Sequence, residues 1–360
     1  MRVSIPSSSP STLPLIHEAT VSCISVKGAD SSSVPLLIDG VLFCSGGGDF
    51  VALDLNGNEV WRDRLEPPVG SSPAGARRAG FRADRVIEDG RVFMWNTQGE
   101  SAGYDVRARR ILWRKPGYLG AGMWRGQLMM SQVGAVEMWS GLDGVVTERI
   151  AIGDARPGTA VIEDTLVVAY EEGGVPGLRA VNLPTLETIW DNPAPEVLGS
   201  RDTSVSNLLV GTRTDMFMWY GSAGGKAVLA GHTLKDGSLM WAAEGVSFPH
   251  GPFVHEGKIP ILSKEFRIFD ENTGKLLATG VNHGTIYEKQ GCVVKNMVVF
   301  TDEFGRIVCY DLTTGENLGR DRVMEDRRKR QGGSFYGSMS VGDRVYIPDG
   351  WGNIWIYRAP

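Results

Sequence analysis

The sequence predicts an all-β chain built by radial repetition of one small sheet. Three observations predict it. Glycine supplies 47 of 360 residues, about twice the usual share, with no Gly-X-Y period that would signal collagen. Short apolar runs of β-branched and aromatic residues alternate with tight-turn residues, and no amphipathic helical stretch interrupts them. The same pattern returns along the chain. Its equivalent positions Asp54, Asp105, Ser140, Asn182, Thr233, Asp270 and Asp311 are 51, 35, 42, 51, 37 and 41 residues apart, the spacing of propeller blades. The expected architecture is a single eight-bladed β-propeller of four-stranded blades, with seven blades as the alternative.

Each unit reads as a turn, an apolar run, a Gly-rich turn, a second run, then an Asp, a Gly and a terminal Trp. The first copy, LLIDGVLFCSGGGDFVALDLNGNEVW, runs from Leu36 to Trp61, and the second from Val86 to Trp113. The third, starting near Gly122, has no terminal Trp. The fourth ends at Trp190 and the fifth at Trp241. The sixth and seventh keep Asp270 and Asp311 without the Trp, and the eighth, SMSVGDRVYIPDGWGNIWIY, stops short of a fourth strand. The run Thr20–Val26 (TVSCISV) is strand-like and unpaired at the other end of the chain. It is expected to supply the missing outer strand and close the ring, which removes an open seam. Residues 1–19 are then an N-terminal extension and 20–360 one propeller domain.

These units resemble propellers with pyrroloquinoline-quinone-type (quinoprotein-type) repeats. The resemblance rests on the docking pattern Ala-x-Asp-x-x-Thr-Gly-x-x-x-Trp. Ala52-x-Asp54…Gly57…Trp61 matches it one residue short, and Gly231-x-Thr233…Asp236-Gly237…Trp241 keeps its spacing. Asp270…Thr273-Gly274 and Cys309-x-Asp311…Thr314-Gly315 carry its turn without the Trp. The resemblance implies eight blades, a Trp plate between neighbouring blades, and an Asp with Thr-Gly shaping the turn between third and fourth strands. It does not extend to a quinone site. There is no adjacent cysteine pair and no matching calcium ligand set, so quinone-dependent oxidation is not expected. An exported outer-membrane assembly role is not expected either, because no lipoprotein signal is present.

Composition narrows the function classes. Net charge is −5, so a uniformly basic nucleic-acid binder is not expected. No stretch approaches the ~18 apolar residues of a membrane helix, and the first residues lack the apolar centre of a secretion signal. Cys23, Cys44, Cys292 and Cys309 lie in apolar runs without C-x-x-C spacing. They read as buried free thiols of a cytoplasmic protein rather than as a zinc site. No metal, no cofactor and a monomer are expected.

Function on a propeller concentrates in loops held by the rigid ring. Aligning the turns after the innermost strands puts His250, Lys289 and Tyr336 six residues upstream in blades six, seven and eight. His283 lies on the connection entering blade seven. Imidazole, ammonium and phenol together suit acid–base work, although hydrogen bonding to backbone at blade junctions is the plainer role. Two connections are basic: Arg77, Arg78, Arg82 and Arg85 between blades one and two, and Arg327, Arg328, Lys329 and Arg330 between blades seven and eight. Guanidinium groups suit carboxylate or phosphate, so Arg82, Arg201, Arg327 and Arg328 are candidate ligand-binding residues. Trp351, in the turn Asp349–Asn353, is a candidate stacking surface. No nucleophile or metallohydrolase motif occurs. The leading expectation is a propeller that binds a small-molecule or protein partner, possibly anionic, on its loop-rich face. The alternative is a cofactor-independent cyclase, lyase or isomerase using the acid–base group at the channel mouth.

Overall fold

In the computed structural model the described residues are 13–23, 34–46, 49–64, 82–88, 90–95, 100–116, 120–153, 158–193, 195–245, 252–263, 265–281, 291–301, 306–322, 337–349 and 352–360. They form antiparallel sheets of neighbouring strands in chain order, with no helix among them. Blades 1 to 7 span 36–64, 82–116, 120–151, 158–193, 203–244, 258–281 and 292–322. Blade 8 takes Met339–Val341, Arg344–Pro348 and Asn353–Arg358, with Ile16–Ser22 as its outermost strand. In blade 6 the described sheet has three strands, and the His255–Lys258 bridge begins a fourth on its inner side.

The blade count follows from the core. The buried apolar residues fall into eight clusters, and each joins two consecutive blades. Alternate residues of one strand face opposite neighbours. Val167 and Ala169 face blade 5, whereas Leu166, Val168 and Tyr170 face blade 3. Middle strands are therefore buried on both sides, which is why they read as continuous apolar runs rather than alternating ones. Asp49–Leu53 and Met297–Thr301 are buried throughout.

Closure is made by Ile16–Ser22, which begins four residues before the expected Thr20–Val26. It pairs antiparallel with Asn353–Arg358, from Ile16 opposite Arg358 to Ser22 opposite Asn353. Leu15 packs into the cluster between blades 7 and 8, so the apolar signal of the closing segment starts upstream of the β-branched run. The register shifts between His17 and Ala19. This bulge releases Glu18 to Arg344 (2.7 Å) and Arg358 (2.9 Å). At the other end, Arg62 of blade 1 donates to the carbonyls of Ser22 and Cys23.

The docking Trp positions follow a volume rule in most blades. Trp61, Trp113, Trp190 and Trp241 stand opposite Ala52, Gly103, Ala180 and Gly231 on the third strand. Where the Trp is replaced by Glu148, Ala278 or Gly319, the partner is Met138, Ile268 or Cys309. In blades 3 and 6 the larger third-strand residue makes up part of the volume that the Trp fills elsewhere, whereas Gly319 and Cys309 in blade 7 do not. The next blade also yields: a Cβ on Gly144 would meet Trp113 at 2.7 Å, and one on Gly237 would meet Trp190 at 2.8 Å. Arg109 occupies the equivalent position in blade 2, keeps the positive φ of 52°, and lays its guanidinium 5.0 Å from the Trp61 ring centre.

Candidate functional site

Strand order gives the ring two unlike faces. The first-to-second and third-to-fourth turns share one face, and the second-to-third hairpins share the other with the connections between blades. On the first face the turns are short: two residues at Asp39-Gly40, Arg125-Gly126, Glu163-Asp164, Lys295-Asn296 and Gly342-Asp343. Third-to-fourth turns span four or five residues. On the opposite face, connections run to 17 residues after Arg64 and 16 after Arg322.

The short turns are held by their own side chains. Asp54 accepts the amides of Asn56 and Asn58, and Asp311 those of Thr313 and Thr314. Such Asx turns fix the backbone locally. The hydroxyls of Thr233 and Ser238 and the Ser238 amide hold the Asp236 carboxyl down at about 2, so it accepts hydrogen bonds rather than protons at neutral pH. Neighbouring blades are tied across this face. Arg107 pairs with Asp39 at 2.7 Å. Trp124 Nε1 donates to Asp164 at 2.7 Å, and Arg125 donates to both oxygens of the same carboxylate at 3.0 Å. Trp124 thus stands by a first-to-second turn, away from the inter-blade connections.

One buried polar group stitches blades 5 and 6, and another braces the inside of blade 5. The fully buried Glu271 carboxylate accepts the Thr212 amide at 2.7 Å, the Thr212 hydroxyl at 2.5 Å and the Arg213 amide at 3.4 Å. A Cβ on Gly211 would collide with Glu271 Oε1 at 1.6 Å. Within blade 5, His232 Nδ1 meets the Gly237 carbonyl at 2.9 Å and its Nε2 accepts the Trp219 indole N–H at 3.0 Å. That network assigns the neutral Nδ1–H tautomer, and burial pushes the imidazole below its ordinary range. Neither group carries a sequence signal: Glu271 reads as one polar residue of the turn Asp270–Gly274 and His232 as a lone histidine after an apolar run, and their partners come together only on folding.

The expected site residues fare unevenly. Arg201 lies on the blade 4–5 connection, exposed, 3.6 Å from Glu196. Arg82 stands in the innermost strand of blade 2, paired with Trp95. The backbone of Arg82 belongs to blade 2 and Arg201 to the blade 4–5 connection. His250, His283, Lys289, Tyr336, Trp351, Arg327 and Arg328 lie outside the described residues, as do Arg77, Arg78, Lys329 and Arg330. Among the described residues no group of three or more His, Cys, Asp or Glu is placed to hold a metal ion. No described helix is long and apolar enough to cross a membrane.

Two of the described phenols, Tyr170 and Tyr104, are made weaker acids by their surroundings. The Tyr170 hydroxyl donates to Asp191 at 2.6 Å beneath the Arg179 guanidinium, and burial together with that carboxylate pushes it up to about 12. Tyr104, buried and donating to Asp63 at 3.3 Å, is raised as well.

The fold and its closure define an eight-bladed β-propeller. Solved structures agree. The crystal structure of the computationally designed Ika8 protein is similar at TM-score 0.69 and 11% identity, covering 95% of this chain and 99% of that one. BamB from Moraxella catarrhalis is similar at TM-score 0.64 and 13% identity, with 96% and 99% covered. The C-terminal WD40 domain of Sif2 is similar at TM-score 0.64 and 11% identity, with 96% and 98% covered. No protein-family profile and no curated protein sequence matches the chain. At these identities the likeness concerns the fold alone.

Proposed function

We propose that this propeller is a recognition module that binds an anionic small molecule or an acidic protein surface on the face carrying the inter-blade connections. The observation that carries the reading is the asymmetry of the two faces. One is closed by two- to six-residue turns braced by Asx bonds and ion pairs, whereas the other receives the 16- and 17-residue connections. A rigid ring with its long segments on one side suits recognition by loops. Those connections hold Arg77 and Arg78 in one case and Arg327, Arg328, Lys329 and Arg330 in the other. The Trp-to-Gly docking between blades and the fold shared with BamB support placing the chain with quinoprotein-type repeat propellers, without their quinone. The four unbridged, buried cysteines support a reducing, cytoplasmic setting. The ring is closed by its own chain and works as a monomer, without membrane or nucleic acid.

The test is native mass spectrometry of gently isolated protein, followed by affinity measurement with whatever is retained. The double variant Arg327→Glu, Arg328→Glu is expected to weaken binding at least tenfold. Unchanged affinity removes the basic connection from the account.

A second reading, a cofactor-independent acid–base enzyme, draws support from chain position. His250, the pair His283 and Lys289, and Tyr336 fall in the segments leading into three consecutive blades. With a retained small molecule in hand, turnover that survives both His250→Ala and Tyr336→Phe ends this reading.

A further inference from the structure

We propose that the outer strand of blade 6, Leu276–Val281, is a docking edge that takes an extended apolar segment of a partner protein as an added strand. The edge lies on the rim of the ring, apart from the connection-bearing face, and the inference does not depend on what that face binds.

The outermost strand of each blade has a sheet neighbour on one side only. Every second residue of such an edge turns its N–H and C=O away from the sheet, and proteins usually protect these groups with charge or proline. The outer strands of the other blades follow that rule. Each carries at least one Asp, Glu, Lys or Arg, from Glu18 in the closing strand to Arg320 in blade 7. Blade 6 departs from it: LLATGV has neither charge nor proline.

Its side chains are apolar and open to solvent. Leu276 and Leu277 are each 49% exposed, and Val281 is 61% exposed. The bulge opposite Ile268 and Phe269 inserts Leu277 as an extra residue, and both leucines stay out of the core. Ala278 packs toward blade 7, and a Cβ on Gly280 would collide with the Gly315 carbonyl. That row of the strand is taken. Thr279 and Val281 alternate with it and are exposed.

These features select the occupant. A row of outward backbone donors and acceptors is matched by another extended backbone, with affinity from main-chain hydrogen bonds and specificity from alternate side chains. Apolar side chains on the incoming segment cover the leucines and Val281 without stranding a charge. Lys275, just before the strand, is exposed and has no described ion pair. The segment that fits therefore carries a carboxylate at the end beside Lys275. A second copy of this chain is a poorer match. Its own edge has no carboxylate to offer, and parallel pairing would set two lysines side by side.

The experiment titrates the full-length protein with a fluorescein-labelled, C-terminally amidated peptide, Glu-Val-Thr-Val-Thr-Val, reading anisotropy and amide exchange. The expected result is saturable binding with slowed exchange over residues 276–281 and no change over 65–81 and 323–336. Thr279→Lys restores the charge that other edges carry and should weaken binding about tenfold or more. Thr279 is exposed, so this variant keeps the fold. Val60→Lys on the blade 1 edge should leave binding unchanged, and a peptide N-methylated at every residue should not bind. Unaltered exchange over 276–281 at millimolar peptide overturns the proposal, as does equal binding by Thr279→Lys or by the N-methylated peptide. Protection of 276–281 that grows with protein concentration in the absence of peptide overturns it in favour of self-pairing.

Discussion

The Trp241 indole lies flat against Gly274 of the following blade, so closely that a Cβ there would sit 2.4 Å from Trp241 Cε3. Gly274 also holds φ at +64°, a conformation that L side chains pay to adopt. Gly274→Ala is expected to lower stability by about 2–4 kcal/mol, adding backbone strain to overpacking. Gly225→Ala is the control: its φ is +76°, but nothing lies within 4 Å of a built Cβ. It should cost about 1 kcal/mol. Denaturant midpoints of the two variants check this, and equal losses would remove the Trp contact as the cause.

His232 gives the protein an acid-sensitive interior. Its ordinary value is 6.5 and burial lowers it in the folded state. The unfolded chain thus takes up the proton first as pH falls. The stabilising effect is fully present above about pH 6.5 and is lost as pH drops through the lowered folded value, with a slope of at most about 1.4 kcal/mol per pH unit. Tm measured from pH 8 to pH 5 should fall in wild type relative to His232→Gln, which has no proton to gain. Parallel curves would contradict the buried neutral imidazole.

Glu271 is expected to bind blade 5 to blade 6 through the Thr212 and Arg213 donors. Glu271→Ala leaves those donors unpaired and should cost about 3 kcal/mol. Glu271→Gln retains one carbonyl acceptor and should cost roughly half as much. Hydrogen exchange of the Thr212 amide reads the effect directly. Protection that persists in the Ala variant would show that another group holds this turn.

Glu18 faces two arginines from the closing bulge with a quarter of its side chain exposed. Partial exposure keeps the pair weak, so Glu18→Gln should cost about 0.5–1 kcal/mol. The difference should shrink at 1 M salt, where charges are screened beyond a few ångströms. Amide exchange over residues 16–22 should quicken in the variant, and unaltered exchange would mean that backbone pairing alone holds the seam.

Much of the fold is legible in the sequence because the blade repeats its punctuation. A polar residue closing the third strand and a Gly three or four residues on mark one turn in blades 1, 3, 5, 6 and 7, and they bound strands buried on both faces. Closure by the N-terminal segment follows from the short eighth unit. Its boundary does not, because Leu15 and the Glu18 bulge have no β-branched pattern to announce them. Arg109 and Leu186 hold positive φ in place of Gly, so the turn signal is absent in blades 2 and 4 although the turn remains. The candidate site residues lie mostly in inter-blade connections, where no periodic pattern fixes one side chain against another. Glu271 and His232 were missed for the opposite reason: their partners are distant in sequence or hidden in an apolar run.

The central claim is that the connection-bearing face binds and the turn-bearing face does not. Hydrogen–deuterium exchange of the protein with and without its retained ligand tests it most directly. The account predicts new protection in peptides covering 65–81 and 323–336, with none at the turns 39–40, 125–126 and 163–164. Protection confined to those turns would contradict it.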